Sequence, residues 1–237
     1  MKRYQILSDG STNSKTAKNN RETLILYMSP STQNSKGRNL CPKASAGCLA
    51  ACLYTAGRGA FSNVQAARMK RTEMFLNETD LFYESIADEI NRKAKRVDEL
   101  AVRLNGTSDT KIVDVLVSRH TIAKNVVFYD YTKVLPRAGS FILQSGHMYK
   151  VAFSRSEENE HEAIQVLSNG GIVAAVFDEL PDTWYNYPVV DGDERDDLML
   201  DLFPGTVLGL KAKGKAKHDR TGFVITNGRL FAFGREL

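Results

Sequence analysis

The feature that most narrows the fold is a set of short, almost wholly apolar runs set between stretches of helical pattern. "TLILYMS" (residues 23–29), "GIVAAVFDE" (171–179) and "GTVLGLKAKG" (205–214) are rich in β-formers and too short for ordinary helices. A strand that is apolar at successive positions is buried on both faces. That is the condition of a strand in a parallel sheet with covering layers. "LAVR", "NVVFYDYTK", "MYKVAFS" and "YPVVDGDE" read as further strands, about seven in all.

The segments between them carry helical spacing. Ser62 stands where it can cap a helix that turns Val64, Ala67, Met74 and Phe75 inward. Asn77 or Thr79 can cap the next, with Phe82, Ile86 and Ile90 as its stripe and the basic "NRKAKR" at its end. "IVDVLVSRHTIAK" and "EHEAIQVLSNGG" read as two more, the second with a glycine stop. "GFVITNGRLFAF" predicts a terminal hairpin turning at Asn-Gly. The fold class is therefore α/β: an open parallel sheet, or an incomplete TIM-like barrel. Residues 1–22 are polar and read as a mobile tail, with a short pairing segment at 4–7. Residues 23–237 read as a single domain, a length that one core can support.

All three cysteines of the 237-residue chain fall within twelve positions: Cys41, Cys48 and Cys52. The loop "PSTQNSKGRNLCPKASAG" that brings the first of them follows the first apolar strand. Its length marks a functional loop. Cys48 and Cys52 lie in a helical turn expected at 48–53. Residues four apart on a helix share a face, with Cβ atoms roughly 5–6 Å from each other. Three thiolates can then converge at the C-terminal end of the first strand, where α/β folds place their sites.

Four readings fit that convergence. A structural zinc site needs a fourth ligand, and His120, His147, His161 and His218 stand at no motif spacing. A disulfide leaves one thiol over. Three buried cysteines can also be unrelated. An iron–sulfur reading has three cysteines holding a 4Fe-4S cluster with one iron left open, a Lewis acid for a small substrate.

Polar residues end the other strands. Ser29, Asn105, Ser108, Ser154 and Asn159 are candidate substrate contacts. Arg58, between two glycines, is a candidate carboxylate clamp. Lys133, Tyr131 and Asp130 are candidate acid–base groups. "KAKGKAKHDR" (211–220) is the densest basic run and keeps nucleic acid open as a partner, although the net charge of +4 is mild. No apolar run reaches membrane-span length and no stretch has signal-peptide order, so the expected compartment is the cytoplasm and no membrane partner is expected.

The succession "MSPS", "CPKASAGCLAACLYTAGRG", "RLNGTSD", "FYDYTK", "VVDGDE" and "GLKAKGKA" resembles a phage-encoded family known as gene product 88. The resemblance spans nearly the whole chain. It implies a phage origin, hence the cytoplasm of a host cell, and names no reaction.

The layout also resembles radical SAM enzymes, which carry three cysteines after the first barrel strand and leave one iron for S-adenosylmethionine. Here the cysteine spacing is six then three residues instead of three then two. Ala51 stands where those enzymes have an aromatic residue, and "NGTSD" where they have a glycine-rich turn. What carries over is the barrel and the cluster position. The expected function is thus small-molecule chemistry at an open iron, a non-redox lyase or sulfur reaction such as cysteine desulfidation. The alternatives are a radical SAM-like enzyme and a non-enzymatic phage protein that binds nucleic acid or a host protein.

Overall fold

The computed structural model describes residues 5–12 and 16–226. The chain opens with β1 (Ser8–Asp9) and β2 (Glu22–Ile25). A long excursion then carries α1 (Ala46–Ala50), α2 (Ser62–Asn77) and α3 (Thr79–Ala94). There follow β3 (Leu100–Arg103), α4 (Ile112–Arg119), β4 (Val126–Thr132), β5 (Gly139–Ile142), β6 (Met148–Ser154), α5 (Glu160–Ser168) and β7 (Val173–Phe177). The last strands are β8 (Thr183–Trp184), β9 (Tyr187–Asp191), β10 (Val207–Lys211) and β11 (Val224–Ile225).

Among the described residues, eleven strands form one sheet in the order β1-β2-β3-β4-β6-β7-β10-β9-β8, with β5 beside β6 and β11 beside β7. β2, β3, β4, β6, β7, β10 and β9 run parallel to their neighbours along that path. The short β1, β5 and β8 pair antiparallel. From β2 to β7 the parallel strands follow chain order. The intervening helices pack on one face, as in a barrel wall and as crossovers of a single hand require. The order reverses at β10 and β9, and the path ends at β1 and β8 without closing. The sheet is therefore open, as the apolar runs predict.

Side chains alternate as strand geometry requires. Val102, Phe128, Val151 and Leu24 join Phe75, Phe82, Ile86 and Leu116 in one core under α2, α3 and α4. Phe153, Val173, Ala175 and Val207 continue it under α5, with Ala163 and Val166. The intervening positions, Ala101, Tyr129, Ala152, Ala174 and Leu208, face the other way and pack on Met199. A single-turn segment, Asp196–Leu200, thus covers the hollow face that a closed barrel would fill with its own strands.

It is fastened there by charge. Arg103 Nη1 contacts Asp196 at 3.0 and 3.1 Å, and Tyr129 donates its hydroxyl to the same carboxylate at 2.8 Å. The Arg103 guanidinium also lies 4.5 Å from the Tyr131 ring centre.

Four expectations need correction. The described part of residues 1–22 is no free tail: Ile6 and Leu7 are buried in the core, and Glu89 accepts both of their amides, at 2.5 and 3.0 Å. Among the described residues pairing begins at Ser8, past the expected segment at 4–7. Ser62 is the first residue of α2, not its cap, and Phe61 precedes it with no capping side chain. Of the expected terminal hairpin, Val224–Ile225 instead pairs parallel to β7. Its Asn-Gly turn and second arm lie outside the described residues.

Candidate functional site

The loops that follow the parallel strands gather at one end of the sheet, and the three cysteines lie there. Cys41 is held against the end of β2. The Leu40 amide donates to the Ser31 carbonyl at 3.0 Å, and the Ser31 amide donates to Cys41 Sγ at 3.3 Å. Ser31 takes the left-handed conformation, φ 51°, to turn its amide that way. The Cys41 thiol reaches the Thr107 carbonyl at 3.7 Å.

Thr107 belongs to the loop after β3, and that loop is built on Asn105. Asp130 accepts the Asn105 amide at 2.9 Å and its Nδ2 at 3.0 Å; Asn105 Oδ1 accepts the Ser108 hydroxyl at 3.0 Å. Asp109 ties the same loop to the end of β4, accepting from Thr132 Oγ1 and the Lys133 amide, each at 2.9 Å.

Cys48 sits in α1, whose first turn is capped twice. Ser45 Oγ accepts the Cys48 amide at 3.2 Å. Glu157, from the loop after β6, accepts the Ser45 hydroxyl at 2.8 Å and the Gly47 amide at 2.7 Å. The helix stops at Ala50, and Cys52 has the extended torsions φ −56°, ψ 131°. Cys48 and Cys52 therefore do not share a helical face. The turn of small residues ends two residues before Cys52.

All three thiols are unbridged and half-buried. Burial pushes the Cys41 thiol up to about 11, and its other neighbours include Cys52, Cys48 and Asp109, which push the same way. Burial also raises Cys52, with Cys48 adding to the rise; the Tyr54 amide, Arg68 and Lys133 oppose it. The three sulfurs are thus close enough to sense one another's charge. Among the described residues, however, no three His, Cys, Asp or Glu side chains stand at the separations of a formed metal site. The donor set has the chemistry of a thiolate-bound metal or cluster. The sulfurs would still have to draw together around one.

The other candidate residues divide into two groups. Asn105, Ser108, Asp130 and Asn159 are spent on the loops: Asn159 accepts the Ser156 amide at 2.6 Å and donates to the Ser154 carbonyl at 3.2 Å. Burial lifts the Asp130 carboxyl to about 6 against the pull of Arg103, Asn105 and Tyr149. Ser29 is fully buried, its amide on Thr72 Oγ1 at 2.8 Å. Lys133 and Ser154 stand together nearer the thiols: Lys133 Nζ donates to Ser154 Oγ at 2.6 Å, 5.7 Å from the Phe223 ring centre. Tyr131 is half-buried under Arg103, and burial raises its phenol strongly. Arg58 lies exposed in the turn Gly57–Ala60.

The residue that sequence reasoning missed is Arg68. It is 7 % exposed, its guanidinium lies 5.2 Å from the Tyr27 ring centre and 5.5 Å from that of Tyr54, and among the described residues its Nε and Nη1 have no hydrogen-bond partner. A signal existed. Val64, Arg68, Thr72 and Phe75 form one row of a helix, so Arg68 falls on the inward face. Beside it, Pro30, Ser31, Leu49, Cys52, Tyr54 and their neighbours line a cavity of about 220 Å³.

Fold and site together define an open α/β protein with a cysteine-bearing loop at the C-terminal mouth of its parallel strands. The model of one family, Gene product 88, matches residues 5–227. The chain belongs to that family. No curated protein and no solved structure matches it.

Proposed function

We propose that Cys41, Cys48 and Cys52 hold a 4Fe-4S cluster with one open iron, and that the protein acts on a small thiol-bearing substrate beside it. The observation that carries this reading is the gathering of every thiol of the chain at the strand mouth, unbridged and half-buried, with Lys133 and Arg68 near Cys52. Bound there, the cluster would supply a Lewis-acidic iron for the substrate's sulfur.

The chain's own groups account for the proton steps of a desulfidation. Lys133 accepts the α-proton of L-cysteine and returns it to the sulfur as the Cβ–S bond breaks, so that hydrosulfide leaves. The 2-aminoacrylate that remains is hydrolysed to pyruvate and ammonium. The reaction is placed in the host-cell cytoplasm, where thiols stay reduced.

The test is anaerobic reconstitution followed by iron, sulfide and electron paramagnetic resonance measurements. The expected result is about four irons and four sulfides per chain, lost in Cys48→Ala, with a spectrum that changes when L-cysteine is added and sulfide released. One zinc per chain and no sulfide makes the site structural. 5′-Deoxyadenosine formed from S-adenosylmethionine under reduction moves the reading to the radical enzymes.

A second reading has an observation of its own. Lys211 and Lys213 are paired with Asp191 and Asp193, but Lys215, Lys217 and Arg220 are exposed on a turn that packs on Cys48 and Ala51. In this reading the cysteine centre stiffens a basic surface for nucleic acid. Gel shifts that weaken steeply with salt and vanish in a Lys215→Ala, Lys217→Ala variant would carry it.

A further inference from the structure

A guanidinium keeps its charge at any pH that a folded protein tolerates, so burying one without an acceptor is costly. Arg68 is so placed. Stacking on Tyr27 and Tyr54 answers its charge through the ring faces, but no described residue answers the Nε and Nη1 hydrogens. Both edges of the fork therefore carry a donor in need of an acceptor. A carboxylate, acceptor-only and small, can answer one of these edges with two bonds, through Nη1 and Nη2 or through Nε and Nη2.

The surroundings say where it would come from. Tyr54 covers the guanidinium with its ring and also lines the cavity that Cys52 lines. Gly59 lets the backbone turn in against Arg68: a Cβ there would lie 3.3 Å from Nη2 and would collide with the Leu53 carbonyl. Arg68 is thus set one ring's thickness from a cavity that opens on a cysteine.

We propose that Arg68 is the carboxylate anchor of this site, and that its ligand is a small amino acid whose carboxylate reaches the guanidinium when the Tyr54 ring moves aside. The inference rests on the reading of the cysteines as a substrate site. It moves the clamp expected at the exposed Arg58 to a buried residue on α2.

The test compares two probes, L-cysteine and cysteamine, which differ by the carboxylate alone. Binding is measured by calorimetry on the reconstituted protein and on the protein without iron. Wild type is expected to bind L-cysteine at least tenfold more tightly than cysteamine. Arg68→Met fits between the two rings and removes the unpaired charge, so it should fold; it is expected to bind both probes alike, with iron and sulfide content unchanged. Arg68→Lys keeps a cation and part of the preference.

A wild type that prefers neither probe, or binds neither, overturns the anchor. So does an Arg68→Met protein that still prefers L-cysteine. The two proposals fail separately. A chain that takes up no iron yet prefers L-cysteine keeps the anchor and loses the cluster, and a loaded chain without the preference does the reverse.

Discussion

Glu157 accepts the amide of Gly47 at 2.7 Å, joining the loop after β6 to the first turn of the cysteine helix 110 residues earlier. Its second oxygen takes the Ser45 hydroxyl, which in turn takes the Cys48 amide. One carboxylate therefore sets the position of Cys48. Glu157→Ala should cost about 1–2 kcal/mol in urea unfolding, the usual price of a lost helix cap. Cys48 should also be alkylated faster at denaturant concentrations where the protein stays folded. An unchanged midpoint together with an unchanged alkylation rate would show that the contact positions nothing.

Gly47 is also a steric requirement. A Cβ at that position would stand 2.6 Å from the Phe223 Cβ and collide with Thr221 Oγ1. Both belong to the turn that Asp219 fixes through the amides of Thr221, Gly222 and Val224. That turn cannot give way without breaking the start of β11. Gly47→Ala should destabilise by about 1–3 kcal/mol, as overpacking does, although alanine is the better helix former. Adding Thr221→Ala should restore only part of the loss, because the Phe223 contact remains. A Gly47→Ala protein as stable as wild type would mean that α1 shifts freely.

The sheet was legible in the sequence because its strands are apolar on both faces, and both faces are in fact covered. Periodicity also found α3, since Phe82, Ile86 and Ile90 repeat at helical spacing and all three are buried. What escaped were contacts between distant segments. Nothing local in "SRSEEN" says that Glu157 caps a helix on another loop. Nothing in "DERDDLML" says that Asp196 meets Arg103 and plugs the hollow face. The cysteine loop was legible as a cluster of thiols, but not its geometry: α1 ends before Cys52, so helical spacing did not apply. Arg68 shares its polar helix with Lys70 and Arg71, and an arginine in such company ordinarily faces water.

Asp130 offers a pH test. Its folded carboxyl titrates near 6 and its ordinary value is 3.8, burial being the main cause. A folded value above the unfolded one means that its contribution is intact below about pH 4 and is lost as pH rises through 6. The loss amounts to roughly 3 kcal/mol at 1.36 kcal/mol per unit. Asp130→Asn removes this titration. The stability gap between wild type and variant should therefore move against wild type by about that amount between pH 4 and 7. Carbon-13 NMR of the Asp130 carboxyl should show a midpoint near 6. A midpoint at or below 4 would mean that the Asn105 and Tyr149 hydrogen bonds outweigh burial.

Glu89 decides whether the start of the chain belongs to the domain. Its carboxylate, on α3, takes the amides of Ile6 and Leu7, and both side chains are buried beside it. Glu89→Ala would leave two buried amides without an acceptor, at about 1–3 kcal/mol each. The segment has a cheaper way out, because β1 is only two residues long and can leave the edge of β2 without disturbing β3. The expected outcome is local release. Amides of Ile6, Leu7 and Asp9 should exchange orders of magnitude faster in the variant, while Val102 and Phe128 keep their protection. Loss of protection across the whole sheet would instead make the first strand part of the cooperative core. Unchanged exchange at Ile6 and Leu7 would show that their burial alone holds the strand in place.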